Sequence, residues 1–201
     1  MLRVGLTGGY GTGKTFVGEC LASLGCHLIS ADELGHQALA SEGAAYAPVV
    51  EEFGPPILRP DGAIDRRTLA AIVFRSPERL ERLNRLVHPV VLRRIEELSC
   101  QFQTRDPNGI MVVEAAILIE SGAHQRFDRV ILAVCGPEQQ IERAIARDGL
   151  TRQEVLARLQ HQMPLEEKRK YAHYVIDTSG SKEETSRQVR QTYAALRSIR
   201  A

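Results

Sequence analysis

A chain of 201 residues, with 43% hydrophobic and 25% charged side chains, is long enough for one compact unit with a modest insertion. The formal net charge of +1 supplies no global basic field for non-specific nucleic-acid binding, and five Phe, five Tyr and no Trp leave few platforms for base stacking. No apolar run approaches the ~18 residues of a membrane span, and the first residues lead into a strand pattern rather than a cleavable signal. Cys20, Cys26, Cys100 and Cys135 show neither C-x-x-C pairing nor zinc spacing, so a cytoplasmic chain with reduced thiols, and no membrane or nucleic-acid partner, is expected.

The first predicted strand covers residues 4–7. It runs into Gly8-Gly9-Tyr10-Gly11-Thr12-Gly13-Lys14-Thr15, which matches G-x-x-x-x-G-K-[ST] in the required place, between a strand and an amphipathic helix. The glycines let successive backbone N–H groups turn inward on phosphate oxygens, and the helix N-terminus adds positive partial charge. Lys14 is placed to bridge β- and γ-phosphates and the Thr15 hydroxyl to ligate Mg²⁺, so ATP with Mg²⁺ is the expected nucleotide. Tyr10 reads as a packing residue. The helix that follows carries Phe16, Val17, Cys20, Leu21 and Leu24 and stops at Gly25.

A second strand is predicted at residues 28–30, followed at once by Ala31-Asp32. Ligands bind at the carboxyl edge of a parallel sheet. A carboxylate there can take the proton of an attacking hydroxyl, or it can cap the next helix. Both readings stand at Asp32. Residues 32–103 contain no convincing strand and read as a helical excursion. Ser76-Pro77-Glu78 starts a long apolar stripe, and Pro89 is expected to kink or break it near His88.

Further strands are predicted at residues 110–114, 130–134 and 174–176. All five are short, apolar and without strict alternation, as in strands covered on both faces. Strand and helix alternate, which predicts an α/β fold with a parallel five-stranded sheet flanked by helices. Glu114 ends the third strand, either as a carboxylate near Mg²⁺ or as one facing solvent. Arg143 and Arg147 share one helix face and read either as cations closing on a γ-phosphate or as a solvated face paired with Glu142 or Asp148. Thr151 and Glu154 have capping-box spacing at the start of another helix.

The P-loop by itself does not separate kinases from GTPases, motors or nucleotide sensors. The absence of a base-reading N-K-x-D segment and the short chain favour a small-molecule kinase. Taken in order, Gly5-Leu6-Thr7-Gly8-Gly9, the P-loop, Ala31-Asp32, Leu86-Val87-His88-Pro89 and Ile117-Leu118-Ile119-Glu120-Ser121-Gly122 resemble the dephospho-CoA kinase family. So do Arg147-Asp148-Gly149-Leu150, Arg158, Gln162 to Lys168 and Val175-Ile176-Asp177. The resemblance spans almost the whole chain.

It implies phosphorylation of the ribose 3′-hydroxyl of dephospho-CoA by ATP, on a fold like that of the nucleoside monophosphate kinases. The implied parts are a core over residues 1–31, 104–148 and 172–201, a helical substrate region over 32–103 and a lid over 149–171. The resemblance makes Asp32, Lys14 and Arg147 the catalytic group. It gives nucleotide contacts to Gly8, Gly9, Gly11, Thr12, Gly13, Lys14, Thr15, Phe16, Arg143 and Arg147. Substrate contacts fall to Thr7, Asp32, His88, Leu118, Glu120 and Lys168, and Mg²⁺ to Thr15. Three positions depart from the family pattern: Ser30 stands where an acidic residue is usual, Ala116 where Pro is common, and Thr178 where Asn is common. The last puts an expected adenine contact in question.

Overall fold

A computed structural model describes residues 1–199. Five strands, β1 (Leu2–Gly8), β2 (His27–Ser30), β3 (Ile110–Glu114), β4 (Arg129–Val134) and β5 (Tyr174–Asp177), form one sheet in the order β2-β3-β1-β4-β5. Every pairing is parallel, with Leu6 opposite Glu114 on one side and Ile131 on the other. β3 and β4 are buried almost throughout, which is why their sequences read as unbroken apolar runs.

The chain forms two compact units, one of residues 1–30 with 99–201 and one of residues 31–98. The first holds the sheet with α1 (Lys14–Ser23), α6 (Pro137–Asp148), α7 (Arg152–Gln160), α8 (Leu165–Arg169) and α9 (Lys182–Ser198). Its core joins Val4, Leu6, Val17, Leu21, Val112, Ile131, Ile176, Val189 and Leu196. The segment read as a lid, residues 149–171, belongs to this unit. Capping boxes at Thr151 and Ser181 start α7 and α9, each with the side-chain oxygen accepting from the N3 backbone N–H and the N3 glutamate returning the bond.

The second unit contains α2 (Ala31–Ala38), α3 (Tyr46–Phe53), α4 (Arg66–Val73) and the greater part of α5 (Pro77–Arg105). Its own core is built on Val49, Ile57, Ile64, Leu69 and Val73, with Leu80, Leu83, Leu86, Val87 and Val90 of α5 packed against it. Ser76 caps α5 by accepting from the Arg79 N–H. The helix then continues through Pro89 without the break allowed for it. Pro89 and Arg85, whose carbonyl loses its partner, both lie on the exposed side, where water can serve that carbonyl. A single antiparallel bridge, Leu58 to Ile64, is the extended pairing recorded here among the described residues.

Cys26 and Cys135 are buried, Cys20 is half-buried and Cys100 is exposed, all as free thiols. Burial pushes the Cys26 thiol up to about 12, which leaves it unreactive at neutral pH. Among the described residues no helix is long and apolar enough to cross a membrane.

Candidate active site

β1 ends at Gly8 and the chain curls through Gly13 into α1. Gly11 and Gly13 adopt φ of 82° and 78°, a left-handed backbone that disfavours any side chain. A Cβ at Gly11 would also lie 2.2 Å from the Gln140 carbonyl oxygen. The buried Thr12 folds its hydroxyl back onto the Gly9 carbonyl at 2.8 Å, holding the loop's curl from within. No side chain caps α1 and no acidic residue stands in its first turn. The positive end of the helix is therefore left for an anion.

A cavity opens over this end, lined by Gly11, Thr12, Gly13, Lys14, Thr15, Arg143 and Arg147. Three cations around backbone N–H groups are suited to a polyphosphate. A second depression shares Gly13 and Arg143 with it and is lined further by Phe16, Thr178, Gly180, Lys182 and Thr185. The Lys182 ammonium lies 5.6 Å from the centre of the Phe16 ring. This slot offers a flat aromatic and a cation beside the anion site.

Arg143 is built in rather than solvated. Its two terminal nitrogens donate to the Thr178 hydroxyl at 3.0 Å and the Thr178 carbonyl at 2.8 Å. The Thr178 hydroxyl in turn donates to the Thr12 carbonyl at 2.7 Å. Thr178 thus links the end of β5, the P-loop and α6, a role the sequence alone did not indicate. Arg147 pairs with Asp148 through Nε at 3.0 Å and Nη2 at 2.8 Å while lining the same cavity. Both readings proposed for it meet here. That pairing, ahead of other causes, holds the Asp148 carboxyl below its usual range and the Arg147 guanidinium above its own.

Glu114 is buried, at 4% exposure, which overturns the solvent-facing reading. Its Oε1 accepts from the Thr15 hydroxyl at 2.8 Å. A hydroxyl and a carboxylate, both hard oxygens, form a donor set that fits Mg²⁺. Thr15 would hold the ion with Glu114 behind it, and the ion would supply positive charge to the phosphate oxygens.

The turn after β3 gathers three of the expected substrate residues. The Ala116 carbonyl accepts from the Thr7 hydroxyl at 3.3 Å and from the Lys168 ammonium at 2.6 Å. Lys168 is wholly buried and pairs with Glu120 at 2.9 Å, and Glu120 Oε1 also accepts from the Met163 N–H at 3.0 Å. Burial lowers the Lys168 pKa, Glu120 opposes that shift, and the Lys14 charge adds to it. Leu118 lies in the same turn, but its side chain is buried over Gly5, where an added Cβ would sit 2.5 Å from it. Its side chain therefore serves packing.

Asp32 and His88 belong to the other unit. Asp32 is the second residue of α2, in its first turn, and is exposed. It follows Ser30, which lies in register with Glu114 at the carboxyl edge of the sheet. His88 is half-buried within α5, and burial lowers its pKa.

Tyr10, expected from the sequence to pack, touches the small cluster of Ile141, Ala144 and Val155. It does more. Its ring carries the Arg147 and Arg158 guanidinium groups at 5.1 and 5.3 Å, and its hydroxyl bonds to Asp148. No spacing pattern could have found this, because the partners lie far along the chain.

A parallel sheet in this strand order, with a P-loop opening onto a cavity rimmed by lysine and arginine, defines the class of P-loop kinases. The family model described as dephospho-CoA kinase matches residues 2–184. The chain belongs to the dephospho-CoA kinase family. It is 39% identical to dephospho-CoA kinase of Aquifex aeolicus over 98% of each chain. It is 40% identical to that of Geobacter sulfurreducens over 95% of this chain and 96% of the other. Among solved structures, dephospho-CoA kinase from Campylobacter jejuni superposes with a TM-score of 0.69 at 28% identity, covering 99% of this chain and 98% of the other. Shikimate kinase from Acinetobacter baumannii, at 18% identity and a TM-score of 0.53 over 97% and 94% of the two chains, shares the fold.

Proposed function

We propose that the chain transfers the γ-phosphoryl group of ATP to the ribose 3′-hydroxyl of dephospho-CoA, giving coenzyme A and ADP. The reading is carried by the cation-rimmed cavity over the uncapped N-terminus of α1, in a chain matched to this family over residues 2–184. The triphosphate binds along the P-loop amides, with Lys14 on its β- and γ-phosphates and the base in the slot beside Phe16 and Lys182. Asp32 accepts the hydroxyl proton as the oxygen–phosphorus bond forms. The bond from the γ-phosphorus to the bridging oxygen breaks, and ADP leaves. Lys14, Arg143 and Arg147 offset charge on the transferring group.

The Thr15 hydroxyl, with the Glu114 carboxylate behind it, would hold Mg²⁺, which would supply positive charge to the phosphate oxygens. Thr7, His88, Glu120 and Lys168 serve the acceptor side. The protein works in the cytoplasm on small molecules. Turnover with dephospho-CoA, adenosine and nucleoside monophosphates, each with ATP and Mg²⁺, tests the reading. Dephospho-CoA is expected to be the preferred acceptor, and a clear preference for AMP or a nucleoside would overturn it.

A further inference from the structure

Tyr10 occupies the third position of the P-loop, yet every polar bond recorded for it reaches α6 or the lid segment. Its N–H donates to Gln162 Oε1 at 2.8 Å. Its hydroxyl bonds to Asp148 and accepts from Arg158 Nη1 at 3.1 Å. Both neighbouring guanidinium groups lie over its ring, and Asp148 holds Nε and Nη2 of Arg147. A P-loop aromatic thus joins two cations and one anion into a single cluster.

Arg147 lies in the last turn of α6 with about half of its side chain exposed, at 53%. A long side chain there would sample many rotamers, and holding it at the cavity requires fixed partners. Asp148 engages one edge of the guanidinium, and the Tyr10 ring supplies the π face beneath it. The Tyr10 hydroxyl also fixes Asp148 itself. An aliphatic residue at this position would provide neither the face nor the bond.

We infer that Tyr10 is a positioning residue for Arg147, setting the guanidinium at the mouth of the P-loop cavity before nucleotide arrives. This rests on the reading that Arg147 offsets charge at the transferred phosphoryl group. Since Tyr10 acts through Arg147, its removal should weaken the transition state more than the ATP ground state. A residue that merely stabilised the fold would lower both together.

The test is a mutant cycle in kcat and KM with ATP and dephospho-CoA: Tyr10→Leu, Tyr10→Phe, Arg147→Ala, and each Tyr10 variant combined with Arg147→Ala. Tyr10→Leu is expected to lower kcat about tenfold while KM for ATP moves by no more than about twofold. Tyr10→Phe, which keeps the ring, should lose only about two- to threefold. Neither change should slow the Arg147→Ala enzyme further. Additive losses, or equal damage to kcat and ATP binding, would overturn the inference while leaving Arg147 in its role. An Arg147→Ala enzyme with unchanged kcat would instead refute that role, and the inference with it. If Tyr10→Leu does not fold, the Phe arm completes the cycle on the same criteria.

Discussion

Replacing Glu120 by alanine would leave the Lys168 ammonium buried with the Ala116 carbonyl as its one remaining recorded partner. In the native fold Lys168 has 0% side-chain exposure and Glu120 20%, and their charged atoms are 2.9 Å apart. Breaking a buried pair from one side costs about 3–5 kcal/mol, because the desolvated charge stays behind. The part-exposure of Glu120 places this pair at the lower end, about 3 kcal/mol. The Met163 N–H loses its acceptor in the same substitution.

Removing both charges is different. Lys168→Met with Glu120→Gln keeps the volume and an acceptor for Met163, and should cost about 1 kcal/mol or less. Urea denaturation measures both variants. The single-variant deficit should also shrink as pH rises. The folded-state pKa of Lys168 already lies below the ordinary 10.5, with Glu120 opposing the shift. Without Glu120 it falls further, so the unfolded chain holds the extra proton over a wider window and stability climbs with pH across it. Equal losses in the single and double variants, or a deficit that does not change with pH, would refute the buried-pair account.

Asp32→Asn should lower kcat by about 10²–10⁴ while leaving ATP affinity unchanged, as measured by steady-state kinetics beside nucleotide titration. Unaltered turnover would remove Asp32 from the mechanism. Glu114→Gln should raise the Mg²⁺ concentration needed for half-maximal rate about tenfold or more, since Glu114 holds the Thr15 hydroxyl at 2.8 Å; an unchanged Mg²⁺ curve would contradict a metal role for this pair. Because burial depresses the His88 pKa below the ordinary 6.5, the unfolded chain binds the extra proton first on acidification. Stability should therefore fall as pH drops from 6.5 through the folded value. His88→Gln should flatten that part of the pH–stability curve, and a profile identical to the parent would refute the assignment.

The sheet was legible because its three central strands are buried on both faces and all five read as short apolar runs, although the edge strands β2 and β5 are only partly covered and Val175 is exposed. The P-loop was legible because its glycines and its Lys-Thr pair are contiguous. Helix starts at Ser76 and Thr151 were legible for the same reason: a cap and its partner lie within a few residues. What was not legible depends on through-space neighbours. The Tyr10 hydroxyl meets a carboxylate 138 positions away, and the Thr178 hydroxyl meets the Thr12 carbonyl 166 positions away. Glu114 allowed two readings in the sequence, near Mg²⁺ or facing solvent, and only its burial against the Thr15 hydroxyl separates them. Leu118 sits in a motif expected to touch substrate, but its side chain turns inward because Gly5 leaves room for it. Pro89 predicted interruption, yet it falls where the helix faces solvent and the chain continues through it.

The most direct measurement is the mass and phosphate position of the acceptor after incubation of the purified protein with ATP, Mg²⁺ and dephospho-CoA. The product should carry one added phosphoryl group on the ribose 3′-oxygen, formed in step with ADP. ADP and inorganic phosphate accumulating beside unmodified dephospho-CoA would contradict the account.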